Sequence, residues 1–160
     1  MEMNGLYKIK PKYFLDFPSP NWMEDKKGRP YYYCICDSDG ILWMIPLSSQ
    51  VDNYKKKIAK EESKRGAGNC AYYHIGLIAG IERAFIISDM FPITDNYIDS
   101  TYTIGGRHYV AKDKNLVKGV RSRAMRYLNL VKSGAIKNQF DIMGIKRKLL
   151  NRKTNKDYII

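Results

Sequence analysis

The sequence predicts an α+β fold, and three observations predict it. The first two thirds consist of short aromatic and β-branched runs separated by Gly, Pro and Asp turns. Ser38-Asp39-Gly40 joins two of those runs as a hairpin, and the last third changes to a three-and-four spacing of apolar residues. With 160 residues, 44% of them hydrophobic and 28% charged, the chain is long enough to bury a core without staples. It reads as one domain, 1–160, and not as a disordered chain.

Taken in order, residues 5–9 form a strand, and the polar, proline-containing stretch 16–30 a loop. Residues 31–37 and 41–47 carry the aromatic and β-branched side chains that suit a pleated sheet, and Ser38-Asp39-Gly40 supplies the tight turn between them. Residues 52–64 change period. Tyr54 and Ile58 share one face while Lys55, Lys56, Lys57, Lys60 and Lys64 lie elsewhere, which predicts a short helix ended at Gly66. Residues 71–78, 83–88 and 107–110 return to strand composition around Ala79-Gly80 and Gly105-Gly106, giving a sheet of about five or six strands. From Asp113 onward Val117, Val120, Ala124, Tyr127 or Leu128, and Val131 recur on one stripe, an amphipathic helix closed by Gly134. A second helix is expected over 138–151, with Phe140, Met143 and Leu149 or Leu150 as its apolar contacts.

The charge is lopsided. Lys and Arg number 28 against 16 Asp and Glu, for a net charge of +12, and residues 111–160 alone hold 14 Lys and Arg against three acids. Such a concentrated basic surface is the footprint of a protein that binds a polyanion, most often nucleic acid. A merely solvated surface or an anionic membrane is the other reading, but basic charge without an apolar anchor binds membranes weakly. The longest apolar run, 41–47, is far short of the ~20 residues of a spanning helix. Met1-Glu2-Met3-Asn4 lacks the basic start and apolar stretch of a signal peptide, and three cysteines cannot all pair. A cytoplasmic protein in a reducing compartment is expected.

Metal chemistry finds no pattern. Cys34 and Cys36 would point the same way inside a strand, Cys70 is remote, and with only His74 and His108 as further ligands no zinc spacing is met, so buried structural cysteine is the reading. No phosphate-binding glycine loop, dinucleotide fingerprint, nucleophile elbow or zinc-protease motif occurs. What remains is Pro46-Leu47-Ser48-Ser49-Gln50, two hydroxyls at a strand end, followed at once by Tyr54, Lys55, Lys56 and Lys57. Two hydroxyls beside a cluster of cations can hold a phosphate. Equally, Ser-Ser before a helix is an ordinary N-cap, a duty Asp52 could share.

An ordered set of motifs runs along nearly the whole chain: Tyr7-x-Ile9, Lys12-Tyr13, the hairpin ending Pro46-Leu47-Ser48-Ser49, the lysine-rich turn, Met90-Phe91-Pro92-Ile93, and Arg/Lys-rich C-terminal helices. In that order they resemble the ToxN/AbiQ/CptN family of type III toxin endoribonucleases. The resemblance implies a compact, strongly twisted antiparallel sheet or barrel like the Kid/MazF fold, with helices added at the C-terminal end. It implies RNA cleavage without metal or other cofactor, in which the ribose 2′-OH attacks the adjacent phosphorus and leaves a 2′,3′-cyclic phosphate and a 5′-OH. Ser48 and Ser49 would bind phosphate oxygens, Lys55 would neutralise developing charge, and Tyr13 or one of Tyr31–Tyr33 would position or protonate. Val51 stands where family members often carry a lysine, so Lys55 is chosen from the later cluster. The two histidines form a conceivable alternative pair, but His74, between Tyr73 and Ile75, reads as a packed residue and His108 as one following a turn.

The resemblance also implies partners: cellular RNA as substrate, and a small repeated antitoxin RNA, folded as a pseudoknot, that alternates with protein in a closed ring. The residues expected to meet RNA are Lys12, Tyr31, Tyr33, Lys56, Lys57, Lys118, Arg121, Arg123, Arg126, Lys146 and Arg147, cations for phosphates and tyrosines for stacking. A non-catalytic RNA-binding module and a DNA-binding regulator are the competing readings.

Overall fold

The computed structural model describes residues 1–18, 28–136 and 141–158. Most of the loop expected at 16–30, and the start of the helix expected at 138 together with Phe140, lie outside them. The order of elements is β1 (Leu6–Ile9), α1 (Pro11–Asp16), β2 (Tyr31–Cys36), β3 (Leu42–Ser48), α2 (Val51–Arg65), β4 (Tyr73–Ile78), β5 (Ile81–Ile86), β6 (Phe91–Ile93), β7 (Ile98–Thr101), β8 (Thr103–Ile104), β9 (Arg107–His108), α3 (Lys114–Lys132) and α4 (Ile142–Tyr158). The fold is α+β, as expected. The main sheet has seven antiparallel strands, and β8 and β9 form a separate ribbon. The sheet is open, not a barrel: its path runs β4-β5-β3-β2-β1-β7 and the two end strands do not pair. Among the described residues, no helix is long and apolar enough to cross a membrane.

Strand β3 organises this sheet. Six of its seven residues are buried, so each face must be covered. One edge pairs with β2 from Leu42 to Pro46, while along the other β6 pairs with Leu42–Met44 and β5 with Leu47 and Ser48. Ile45 and Pro46 fall between those two partners. Pro46 has no N–H to offer a ladder, and the chain linking β5 to β6 turns there, over Ile87–Asp89.

The register divides the side chains between two faces. On one, Tyr32 packs edge-on to Phe85 at 5.3 Å, and α3 lies across Gly76, where a Cβ would overlap Leu116. Asp113 caps α3, its carboxylate accepting from the Asn115 and Leu116 N–H groups, and Leu116, Val120, Ala124, Tyr127 and Leu128 form its buried stripe. On the other face, Tyr31 meets Phe14 and Phe91 toward the β2–β3 turn, and α2 packs over β4 and β5 at the opposite end. Helix α1, begun by Pro11 in the first turn, was not anticipated. Tyr13 drives it, its ring set among Phe14, Phe17, Phe91 and Tyr97.

Two expectations about strand faces fail, one because both sides of β2 are covered and the other because the strand bulges. Tyr31, Tyr32 and Tyr33 are all buried, so none faces solvent. A bulge between Tyr33 and Ile35 breaks the alternation, and Cys34 is buried while Cys36 is exposed. The two thiols therefore do not share a face, and burial pushes the Cys34 thiol up to about 12.

Asp37 closes the hairpin. Its carboxylate accepts from the Asp39 and Ile41 backbone N–H groups at 2.9 and 3.1 Å and from the Trp43 indole at 3.0 Å. Lys146 of α4 pairs with Asp37 and Asp39, both at 2.9 Å, with only 13% of its side chain exposed. Lys146 thus locks α4 to the hairpin, and this corrects its assignment to RNA. Asp37→Ala should cost about 1–3 kcal/mol, because it strands a turn, an indole donor and a half-buried ammonium together. Urea denaturation of Asp37→Ala and Lys146→Ala checks this: both should unfold earlier, and Lys146→Ala should bind RNA as the parent does at a temperature where it is folded.

Candidate active site

Strand β3 leaves the sheet at Ser48, half-buried, and Ser49, exposed. The helix that follows begins at Val51 with Gln50 as its N-cap, and the Gln50 side chain makes no capping hydrogen bond. The Ser48 hydroxyl instead accepts from the Gln50 backbone N–H at 3.1 Å, which keeps its own proton available to donate. Among the described residues no hydrogen bond occupies the Ser49 hydroxyl. The capping explanation of Ser-Ser therefore fails, and two hydroxyl donors sit at the positive end of a 15-residue helix.

Four elements bring polar groups to this strand end. From the chain entering β2, Arg29 donates its Nε–H to the Leu47 carbonyl at 2.9 Å, just before the serine pair. From α2, Tyr54 stands 5.1 Å from Tyr73 of β4, ring centre to ring centre, and the Lys57 ammonium lies 4.9 Å and 5.7 Å from those two centres. An ammonium over tyrosine faces is held by the ring quadrupoles. From the turn beside Pro46 comes Asp89, half-buried. Burial pushes its carboxyl above the ordinary range, while Arg29 and Lys57 are close enough to pull it back. Asp89 in turn acts on the Tyr54, Tyr73 and Tyr127 phenols, raised chiefly by burial. Arg29 thus links the strand end to Asp89, and Asp89 stands beside Lys57 and the paired Tyr54 and Tyr73 rings.

The expected site residues divide sharply against this arrangement. Ser48, Ser49 and Lys57 belong to it. Lys55, two residues before Lys57 and so about half a turn around α2 from it, pairs at 2.8 Å with Glu82, both side chains about half exposed, and that partner raises its pKa. Lys56 is exposed on α2. Tyr13 is a correction: it is wholly buried and donates its hydroxyl to the Pro92 carbonyl at 2.7 Å. Pro92 pairs with Trp43, five residues up β3 from Ser48, a separation of roughly 17 Å. Tyr31 and Tyr33 cannot stack on bases because the core encloses them.

Lys12 lies at the far end of β3, where a cleft of about 620 Å³ opens between Leu42, the 94–97 turn and α4, rimmed by Arg152 and Lys153. There Asp16 gathers Lys12 at 3.0 Å, Arg152 at 3.2 Å and the Tyr97 hydroxyl at 2.7 Å, which together hold its carboxyl below its usual range. On α3, Lys118, Arg121 and Arg126 are exposed. At 3.6 residues per turn, Arg121 and Arg123 flank opposite sides of the buried stripe, Arg121 toward Tyr32 and Cys34 and Arg123 toward His74. The three arginines do not form one file. Arg147 is exposed, 3.9 Å from Asp141.

Sequence reasoning missed Arg29, Tyr73 and Asp89, and placed Tyr54 next to the serine pair without giving it a role. Asp89 alone had a signal, a carboxyl set between the apolar pairs Ile86-Ile87 and Met90-Phe91. Among the described residues, no three His, Cys, Asp or Glu side chains gather as a metal site requires.

No family model and no curated protein matches the chain. One solved structure, described as "A processed non-coding RNA regulates a bacterial antiviral system", superposes with a TM-score of 0.59 at 12% identity, over 89% of this chain and 95% of its own. The fold is shared. At that identity the match is one of backbone architecture and not of side chains.

His74 offers a separate test. Burial, aided by Arg123, lowers its pKa from 6.5 to about 4, so it is neutral near pH 7 and cannot serve there as a protonated acid. Because the folded state binds this proton less readily than the unfolded chain, the stabilisation is complete above pH 6.5 and is lost as pH falls toward 4. NMR titration of the imidazole should find it still neutral at pH 5.5, and Arg123→Ala should move its midpoint upward.

Proposed function

We propose that this chain is a single-domain endoribonuclease toxin of a type III toxin–antitoxin system, cleaving RNA without a metal ion. The observation that carries the reading is the pair Ser48-Ser49, freed from capping at a strand end that holds Arg29, whose charge acts in turn on Asp89 and Tyr54, with Lys57 and Tyr73 next to those two. The ribose 2′-oxygen attacks the adjacent phosphorus, a bond from phosphorus to the 5′ oxygen breaks, and the ends are a 2′,3′-cyclic phosphate and a 5′-OH. The serine hydroxyls donate to the non-bridging oxygens, whose charge grows as phosphorus becomes pentacoordinate. Lys57 and Arg29 supply positive charge, with Lys57 in the place first expected for Lys55, and the Tyr54–Tyr73 pair offers a flank for the neighbouring base.

The basic C-terminal third supports a polyanionic partner. A small repeated antitoxin RNA, folded as a pseudoknot, is processed by the toxin and holds it inactive in a closed ring of alternating protein and RNA, while cellular RNAs are the substrates of the free toxin. The match to a protein of an antiviral system regulated by a processed non-coding RNA supports this choice of partner. The reading includes kinship of the sheet with the Kid/MazF fold, action in the cytoplasm and a role in phage defence.

Ser49→Ala should lower RNA cleavage by about 10²–10⁴, the loss typical of one catalytic donor, and leave the melting temperature and RNA affinity near those of the parent. A substrate with a single deoxyribose at the cut site should bind and remain intact, and a chelator should change nothing. Normal cleavage by Ser49→Ala, or scission of the deoxy substrate, overturns the reading; stable RNA binding with no cleavage by the parent makes the protein a binding module.

A further inference from the structure

Cleavage through the 2′-OH needs a group to take its proton, and neither serines, arginine nor a protonated lysine can do so at neutral pH. The gap in β3's edge pairing supplies a candidate. Between the strands that pair with Met44 and Leu47, the chain makes one turn over Ile87–Asp89. That turn is pinned on both sides of its middle residue: the Ser88 N–H donates to the Tyr72 carbonyl at 3.0 Å, and the Tyr127 hydroxyl donates to the Ser88 carbonyl at 3.0 Å. A buried aromatic from α3 therefore fixes where Asp89 stands.

The groups facing Asp89 come from every element around it: Arg29 before β2, Tyr54 and Lys57 of α2, Tyr73 of β4 and Tyr127 of α3. Among the described residues no donor hydrogen-bonds its carboxylate. This is an unusual position for a half-buried acid. A structural carboxylate is ordinarily saturated by donors, as Asp37 and Asp16 are in this same molecule. Asp89 has cations nearby and its oxygens free.

Resting on the ribonuclease reading above, we propose that Asp89 is the general base of the reaction. Its carboxylate accepts the proton of the 2′-OH as the 2′-oxygen bonds to phosphorus and the bond to the 5′ oxygen breaks. The departing oxygen takes a proton from a water molecule, and Asp89 returns its own to the hydroxide left behind, so no proton is consumed overall. Partial burial strengthens the carboxylate as a base while Arg29 and Lys57 favour its ionised form, a balance suited to a proton acceptor.

The test compares the parent, Asp89→Asn and Asp89→Glu on an all-ribose substrate from pH 5 to 9, with binding followed on the single-deoxy analogue. Asp89→Asn should cleave about 10²–10⁴ times more slowly, bind the analogue as the parent does, and show a residual rate that keeps climbing about tenfold per pH unit at alkaline pH, where the parent's rate has levelled off, because hydroxide must now remove the proton. Asp89→Glu, which keeps a carboxylate, should level off as the parent does, whatever its rate. Cleavage by Asp89→Asn within threefold of the parent overturns the assignment, as does a slower rate with an unchanged pH profile, which would make Asp89 a positioning residue. The ribonuclease reading fails separately, and takes this assignment with it, if the parent cuts the deoxy analogue.

Discussion

The rest of the structure depends on how β3 is paired. A strand buried along nearly its whole length must be hydrogen-bonded on both edges, yet Pro46 removes one donor near its end. The fold answers by changing partners there, from β6 to β5, and the change needs a turn, Ile87–Asp89, at the point where β3 is about to leave the sheet. The same proline thus separates a packed core at the Leu42 end from a polar cluster at the Ser48 end. Coverage follows the same division, with α1 and α4 closing the first and α2 standing beside the second.

Excess positive charge gives this chain three kinds of cation, and the structure distinguishes them. Lys146 and Arg152 are structural: each joins α4 to another element through a carboxylate, at Asp37 and Asp16. Arg29 and Lys57 are placed over a strand end and an aromatic pair. Lys118, Arg121 and Arg126 project from different sides of α3, a distribution suited to a partner that wraps around the helix and less so to one straight strand. Net charge makes RNA a reasonable partner; only the second kind of cation says where chemistry would occur.

Much of the fold was legible because local chemistry determines it. The 31–47 hairpin carries its own turn residues, α2 and α3 carry their periods and stops, and each formed within about two residues of expectation. Ser48-Ser49 was legible as a strand end beside lysines. What escaped depends on long-range packing. Tyr13 looks the same in sequence whether it faces substrate or core, and the enclosure by Phe14, Phe17, Phe91 and Tyr97 comes from three separate elements. The bulge at Cys34 is a register event between strands. Arg29 and Asp89, 60 residues apart, meet only because β3 changes partner. Of the expected sheet or barrel the structure has the sheet, open because β4 and β7 end it without pairing.

If this strand end cleaves RNA through the substrate's own 2′-OH, as proposed above, the ends of the products will report it. Purified protein incubated with a defined RNA in the presence of a chelator, with fragments resolved by mass spectrometry, should yield a 2′,3′-cyclic phosphate on one side of each cut and a 5′-hydroxyl on the other. Fragments bearing 5′-phosphate and 3′-hydroxyl ends, the mark of attack by water, would contradict the account.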